Sequence, residues 1–178
     1  MKHVKLNDGK TIIIRAAEKS DAANMLEYID NISNESDNLT FGPGEFGITL
    51  EQEEEFIDNI SRQDNSLFII AEYGGKIVGN LNFSSGKRPR IMHTGEFGVS
   101  VLRDYWGKGL GAELIKYLID WSENNGIVRK INLRVRTDNI SAIHLYKKLG
   151  FKVEGTITRD LRINDKFYDT LHMGLEID

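Results

Sequence analysis

The chain has 178 residues, 40% hydrophobic and 28% charged, which suits one globular domain spanning 1–178 with a sizeable core. A net charge of −4 without a basic run argues against nucleic acid as a partner, and no apolar stretch has signal-peptide or membrane-spanning character, so no membrane partner and a cytoplasmic location are expected. The lack of cysteine removes disulfides and thiolate chemistry, and His3, His93, His144 and His172 lack metal-ligand spacing, so no metal is expected.

In chain order, the β-branched run Thr11 to Arg15 predicts a first strand. Ser20 and Asp21 suit the start of a helix carrying Ala22, Met25, Leu26, Ile29 and Ile32. Asn34 to Gly47, with Gly42-Pro43-Gly44, reads as a long loop of the kind that often carries function. Thr49 and Gln52 form a capping box for a second helix, Leu50 to Ile60. Ser66 to Tyr73 and Lys76 to Phe83 are strands of a hairpin around Gly74-Gly75. After a basic connection, Ser84 to Arg90, the sheet continues with Glu96 to Val101.

A glycine turn then leads into a helix ending near Gly126. Lys130 to Val135 alternates as a strand, and Asn139 to Leu149 is a helix closed by Gly150. Phe151 to Arg162 and Lys166 to Ile177 form two last strands joined at Asn164-Asp165. The order βααβββαβαββ gives an α/β chain with helices on the faces of a mixed sheet.

The turn between strand and helix is the most informative segment. Phe97, Val99 and Val101 alternate, Gly107, Gly109 and Gly111 follow, and Ala112, Leu114, Ile115, Leu118, Ile119 and Trp121 recur at helical spacing. Such a turn lets backbone approach a ligand closely, and the free N–H groups of the helix start suit a phosphate or pyrophosphate. Lys108 and Arg103 are the side chains that could reach an anion there. The G-x-G-x-G spacing is neither the dinucleotide turn nor a P-loop, and turn glycines alone can be structural.

Two motifs in the right order decide between these. Trp106-Gly107-Lys108-Gly109-Leu110-Gly111 resembles the Q/R-x-x-G-x-G/A segment of the GNAT family of N-acetyltransferases, with Trp106 in place of Gln or Arg. Asn139 to Phe151 matches that family's N-x-x-A-x-x-L-Y-x-x-x-G-F segment. The paired terminal strands resemble the bacterial branch holding spermidine/spermine and ribosomal-protein N-terminal acetyltransferases.

The resemblance implies the GNAT-like acyl-CoA N-acyltransferase fold and transfer of an acetyl group from acetyl-CoA to a primary amine. The acceptor would be a polyamine, a protein N-terminus or a small amine; a non-catalytic CoA-binding sensor is the alternative, and a homodimer stays open. It implies cofactor contacts from Val99, Val101, Trp106, Gly107, Lys108, Gly109, Leu110, Gly111, Ala112, Asn139 and Tyr146. The Val99 N–H would polarise the thioester carbonyl, and Tyr146 would protonate the leaving thiolate. Glu96 is the candidate base or substrate anchor, with Glu72 and Tyr168 in reserve. The acidic residues Glu35, Asp37, Glu51, Glu53, Glu54 and Glu55 form either a solvated face or a surface that attracts a cationic amine.

Overall fold

A computed structural model describes all 178 residues. The elements are β1 (Lys2–Lys5), β2 (Thr11–Ala16), α1 (Ala22–Glu35), α2 (Leu50–Ser61), β3 (Ser66–Tyr73) and β4 (Lys76–Ser85). After them come β5 (Thr94–Val101), α3 (Leu110–Asn125), β6 (Lys130–Arg136), α4 (Ile140–Lys148), β7 (Lys152–Ile163) and β8 (Lys166–Glu176). The eight strands form one sheet in the order β1-β2-β3-β4-β5-β6-β8-β7. Every neighbouring pair is antiparallel except β5 and β6.

The mixed α/β architecture is as expected, with one addition. β1 precedes the expected first strand, so the order is ββααβββαβαββ. Of its four residues only Val4 turns into the core, which leaves no alternation to read. Asp21 stands at the start of α1, but its carboxylate does not cap that helix. It accepts two hydrogen bonds from the Arg15 guanidinium, at 2.7 and 2.8 Å, and one from the Glu18 N–H.

The central strand β3 shows how the two faces are built. Leu67, Ile69 and Ala71 join Leu81, Phe83, Phe97 and Leu133 in a core covered by Leu110, Leu114 and Leu118 of α3 and Ile143 of α4. Phe68 and Ile70 point the other way, against Met25, Tyr28 and Ile29 of α1 and Ile57 and Ile60 of α2. Burial on both faces explains why β3 is a continuous apolar run. No helix is long and apolar enough to cross a membrane.

The site is set by where two strands part. β5 pairs with β4 along its length, from Gly95–Ser85 to Val101–Gly79. With β6 it pairs only from Thr94–Lys130 to Glu96–Asn132. Beyond Asn132, β6 keeps its partner β8 as far as Arg136, and β5 follows β4. The Asn132 side-chain amide pins the strands just before they separate, donating to Thr94 Oγ1 (2.9 Å) and the Gly95 carbonyl (3.1 Å). Behind the opening the rings of Phe97, Tyr146 and Phe151 pack edge to face, with centroids 5.8 to 6.0 Å apart.

Gly95 has no space for a side chain: a Cβ would lie 2.5 Å from the Ser84 carbonyl oxygen and 2.7 Å from the Phe83 ring. Gly95→Ala is therefore expected to cost about 1–3 kcal/mol. That corresponds to a fall of several degrees in Tm, at about 2–4 °C per kcal/mol. Gly155→Ala, where nothing lies within 4 Å, serves as the control. Equal melting of the two variants would contradict this account of the β4–β5 approach.

Candidate active site

The glycine turn has the geometry its sequence suggests. Gly107 (φ 70°) and Gly109 (φ 93°) are left-handed, a conformation that strains any residue with a Cβ, and Gly109 stands at the N-terminus of α3. Leu110 is buried in the core, and a Cβ at Gly111 would touch Leu145 at 3.8 Å, so at both positions the side-chain direction is into the protein. Ala112 completes the first turn of α3.

The two basic side chains expected at an anion are held by protein groups. The Lys108 ammonium lies 2.9 Å from Asp8, and this bond brings the Asp8 carboxyl down to about 2. The Arg103 guanidinium donates to the Glu35 carbonyl (2.6 Å) and lies over the Trp106 ring. Neither Asp8 nor Glu35 is near in sequence, so nothing local signalled these pairings. Trp106 is half exposed, and its indole N–H donates to the Val101 carbonyl at 2.6 Å. What the turn offers an anion is therefore its backbone N–H groups and the helix dipole.

Strand parity fixes which way β5 presents its backbone. The Leu102 N–H donates to the Val78 carbonyl on the β4 side, so Phe97, Val99 and Val101 turn theirs toward β6. Because β6 has left, the Val99 and Val101 N–H groups face the opening without a strand partner.

The opening joins a cavity of about 470 Å³ on the α1–α2 side of the sheet. Glu96, Val99, Asn139 and Tyr146 all line it, so residues far apart in sequence meet at one wall. Asn139 caps α4, its side chain accepting from the Ala142 N–H at 3.2 Å. Tyr146 is buried, and that burial alone pushes its phenol up to about 12. Val101 and the stretch from Trp106 to Ala112 lie outside this cavity, along the strand end and glycine turn.

Glu96 is not a free carboxylate. Its Oε1 accepts from Arg134 Nε at 2.9 Å, and Arg134 also reaches Asp160 at 3.5 Å. A second network crosses the floor: the Tyr28 hydroxyl meets Ser100 Oγ (2.8 Å), which donates to Asn80 Oδ1 (3.1 Å). The reserve candidates are elsewhere, with Glu72 bound to Arg15 at 3.0 Å and Tyr168 stacked under Arg136. Neither lines the cavity.

The acidic run on α2 divides. Glu54 is paired with Lys19 at 3.3 Å. Glu53 is 2% exposed and lines the cavity beside Tyr28, Phe41, Phe46, Phe56 and Phe68. It has neither a hydrogen-bond partner nor an opposite charge, and burial pushes its carboxyl up to about 7. A solvated face therefore does not describe Glu53. Its spacing to Ile57 and Ile60, at i+4 and i+7 on the buried stripe of α2, is the signal that could have found it.

Residues 29–151 match the family model described as "Acetyltransferase (GNAT) family". The chain belongs to the GNAT family. As such it is an N-acetyltransferase.

Among relatives, the L-amino acid N-acetyltransferase AaaT of Escherichia coli is 33% identical over 106 residues. That match covers 60% of this chain and 65% of the relative. Spermidine N(1)-acetyltransferase of Vibrio cholerae is 26% identical over 167 residues, 91% of each protein. The structure of a GNAT acetyltransferase from Streptococcus pneumoniae superposes with a TM-score of 0.90 at 34% identity, covering 94% of this chain and 99% of that one. An acetyltransferase from Salmonella typhimurium, solved with acetyl-CoA, shares the fold at a TM-score of 0.82 and 21% identity, covering 95% of each chain.

In this GNAT enzyme the buried Glu53 makes a stability prediction. Its carboxyl stands at about 7 in the fold against an ordinary 4.5, so the folded state holds the proton more tightly. The stabilisation is complete below pH 4.5, declines as pH rises, and is lost above pH 7, by up to about 3 kcal/mol. Glu53→Gln removes the ionisable group at equal size. The variant should melt above the wild type at pH 8, with the gap closing at pH 5. A difference in Tm that does not change with pH would contradict the burial of an unpaired carboxyl.

Proposed function

We propose that the enzyme acetylates a cationic primary amine, with acetyl-CoA in the opening between β5 and β6 and the amine in the adjoining cavity. The observation that carries this reading is the pair of unpartnered backbone groups, Val99 and Val101, beside a cavity walled by Tyr146. Acetyl-CoA, when bound, supplies an acetyl group activated as a thioester. Gly107 to Ala112 offer backbone N–H groups to its pyrophosphate, and Val101 and Asn139 hold the nearer arm. Trp106 closes the end of the opening, tied to the Val101 carbonyl.

The Val99 N–H donates where negative charge builds on the acyl oxygen, a donor held in place by the β4–β5 ladder. The Tyr146 phenol, held high by burial, keeps its proton until a stronger base forms beside it. The released thiolate is such a base. The amine attacks after giving one proton to solvent at the cavity mouth, the C–S bond breaks as the C–N bond forms, and the second proton lost by the nitrogen restores the Tyr146 phenol through solvent. We assign Glu96 to anchoring: Oε1 is held by Arg134, and Oε2 accepts from the amine. A carboxylate paired with a guanidinium pulls weakly on a further proton, which favours this over a base role.

The charges in the cavity favour a cation without its own carboxylate. Arg134 is committed to Glu96 and Asp160, and Arg136 to Asp138 at 2.6 Å. An α-amino acid would bring a carboxylate to guanidinium groups already engaged. A polyamine or another cationic amine meets Glu53 instead.

Calorimetric titration with acetyl-CoA and with desulfo-CoA tests the cofactor half; absence of binding by both at sub-millimolar concentration overturns it. Thiol release across polyamines, N-terminal peptides and L-amino acids tests the acceptor, and turnover confined to amino acids would contradict the cationic reading. Tyr146→Phe keeps the ring packing on Phe97 and Phe151 and loses only the hydroxyl. It should lower kcat by roughly tenfold or more with acetyl-CoA affinity near wild type. Unchanged kcat assigns Tyr146 to packing.

A further inference from the structure

We propose that Glu53 is the specificity-determining residue that holds a second cationic nitrogen of the acceptor, remote from the amine that reacts. The inference rests on the acceptor cavity described above and names the substrate class of that site: a diamine or longer polyamine.

Three observations converge on this residue. The first is that Glu53 is buried and lines the cavity, and no protein cation pairs with it. Burying a lone carboxylate is costly unless something compensates it, so a bound ammonium would relieve the site. The second is its surroundings: Tyr28, Phe41, Phe46, Phe56 and Phe68 share the cavity wall, Phe41 meets Phe46 at 4.8 Å, and Phe56 meets Phe68 at 5.8 Å. A carboxylate among aromatic faces is the chemistry that binds an alkylammonium, through charge and through cation–π attraction.

The third is distance. Phe68 aligns across the sheet with Asn82 and then Gly98, the residue before Val99. Two strand spacings amount to ~10 Å. The Phe56–Phe68 contact sets the first turns of α2 above β3, on the far side of the cavity from β5. Direct proton transfer needs heavy atoms ≈ 3 Å apart, and a separation of two strands between the α2 side and Val99 favours a role for Glu53 other than taking the proton of the attacking amine. It suits a charge carried at the other end of a chain of several methylenes.

Other ionisable groups on the wall do not compete for that charge. Glu96 and Asp160 share the single guanidinium of Arg134 across β5, β6 and β7, and the one negative charge left there faces the reacting amine, while Arg136 is paired with Asp138. Tyr28 and Tyr146 are buried phenols that remain protonated at neutral pH.

The experiment compares wild type with Glu53→Gln, using spermidine and putrescine against n-butylamine, which matches putrescine in carbon chain but carries one nitrogen. The first readout is the ratio of kcat/KM for diamine over monoamine; the second is calorimetric binding of spermidine to the protein saturated with desulfo-CoA. The wild type should prefer the diamine, and Glu53→Gln should shrink that preference by about tenfold or more, the size expected for a charge-assisted hydrogen bond. Spermidine binding should weaken by a similar factor. A fall by the same factor for diamine and monoamine would overturn the proposal, because Glu53 would then act on a step common to all amines. An unchanged ratio with unchanged spermidine binding would also overturn it. If no amine turns over, the proposed function fails, and the binding measurement still decides the role of Glu53.

Discussion

Two neighbouring strands that begin a hydrogen-bonded ladder and then abandon it leave backbone groups that something else must satisfy. In this chain β5 and β6 share only three residue pairs, and each then follows its outer neighbour. The parting is held on both sides. The Asn132 amide fastens the strands just before it, and the Phe97–Tyr146–Phe151 cluster fills the space behind. The Trp106 indole takes up the Val101 carbonyl, while the Val99 and Val101 N–H groups still face the gap. An unmade hydrogen bond at such a group costs about 1–3 kcal/mol, which a ligand with amide carbonyls would recover. A break in the sheet thereby becomes a binding slot.

The rest of the site follows from where that slot opens. One end meets the glycine turn, where left-handed Gly107 and Gly109 bring the start of α3 to the surface. The other end meets a cavity roofed by α1, α2 and the loop before α2. The two ends differ in chemistry. At the turn, Lys108 and Arg103 are tied to Asp8 and Glu35, which leaves the backbone N–H groups as the donors on offer. In the cavity every guanidinium is paired, and Glu53 is the carboxylate without a partner. A turn fit for an anion at one end and an unpaired carboxylate at the other suit the proposed transfer from a phosphorylated donor to a charged amine.

The geometry of the proposed cofactor half was legible in the sequence because its requirements are local. A backbone-binding turn needs glycine at positive φ, and Asn139 caps α4 within its own motif, so Gly107, Gly109, Asn139 and Tyr146 can be read in order. The acceptor half is assembled from side chains on α1, α2 and α4, the loop before α2 and six strands, and no short segment contains it. Glu53 shows the difficulty: among four glutamates in five residues it reads as solvated, yet the helical stripe it shares with Ile57 and Ile60 turns it inward. β1 was invisible for a related reason, since a single buried Val4 gives no period. The contacts that occupy Lys108 and Arg103, an ion pair with Asp8 and a hydrogen bond to the Glu35 carbonyl, are brought together only by the folded chain.

The central claim is that the unpaired edge of β5 beyond Glu96 is where acetyl-CoA lies. Residue-resolved amide hydrogen exchange on the protein, free and saturated with acetyl-CoA, tests it most directly. The Val99 and Val101 amides should exchange readily in the free protein and become strongly protected in the complex, whereas Gly98 and Ser100, already bonded to β4, should change little. Saturation with acetyl-CoA that left Val99 and Val101 exchanging as before would contradict the account.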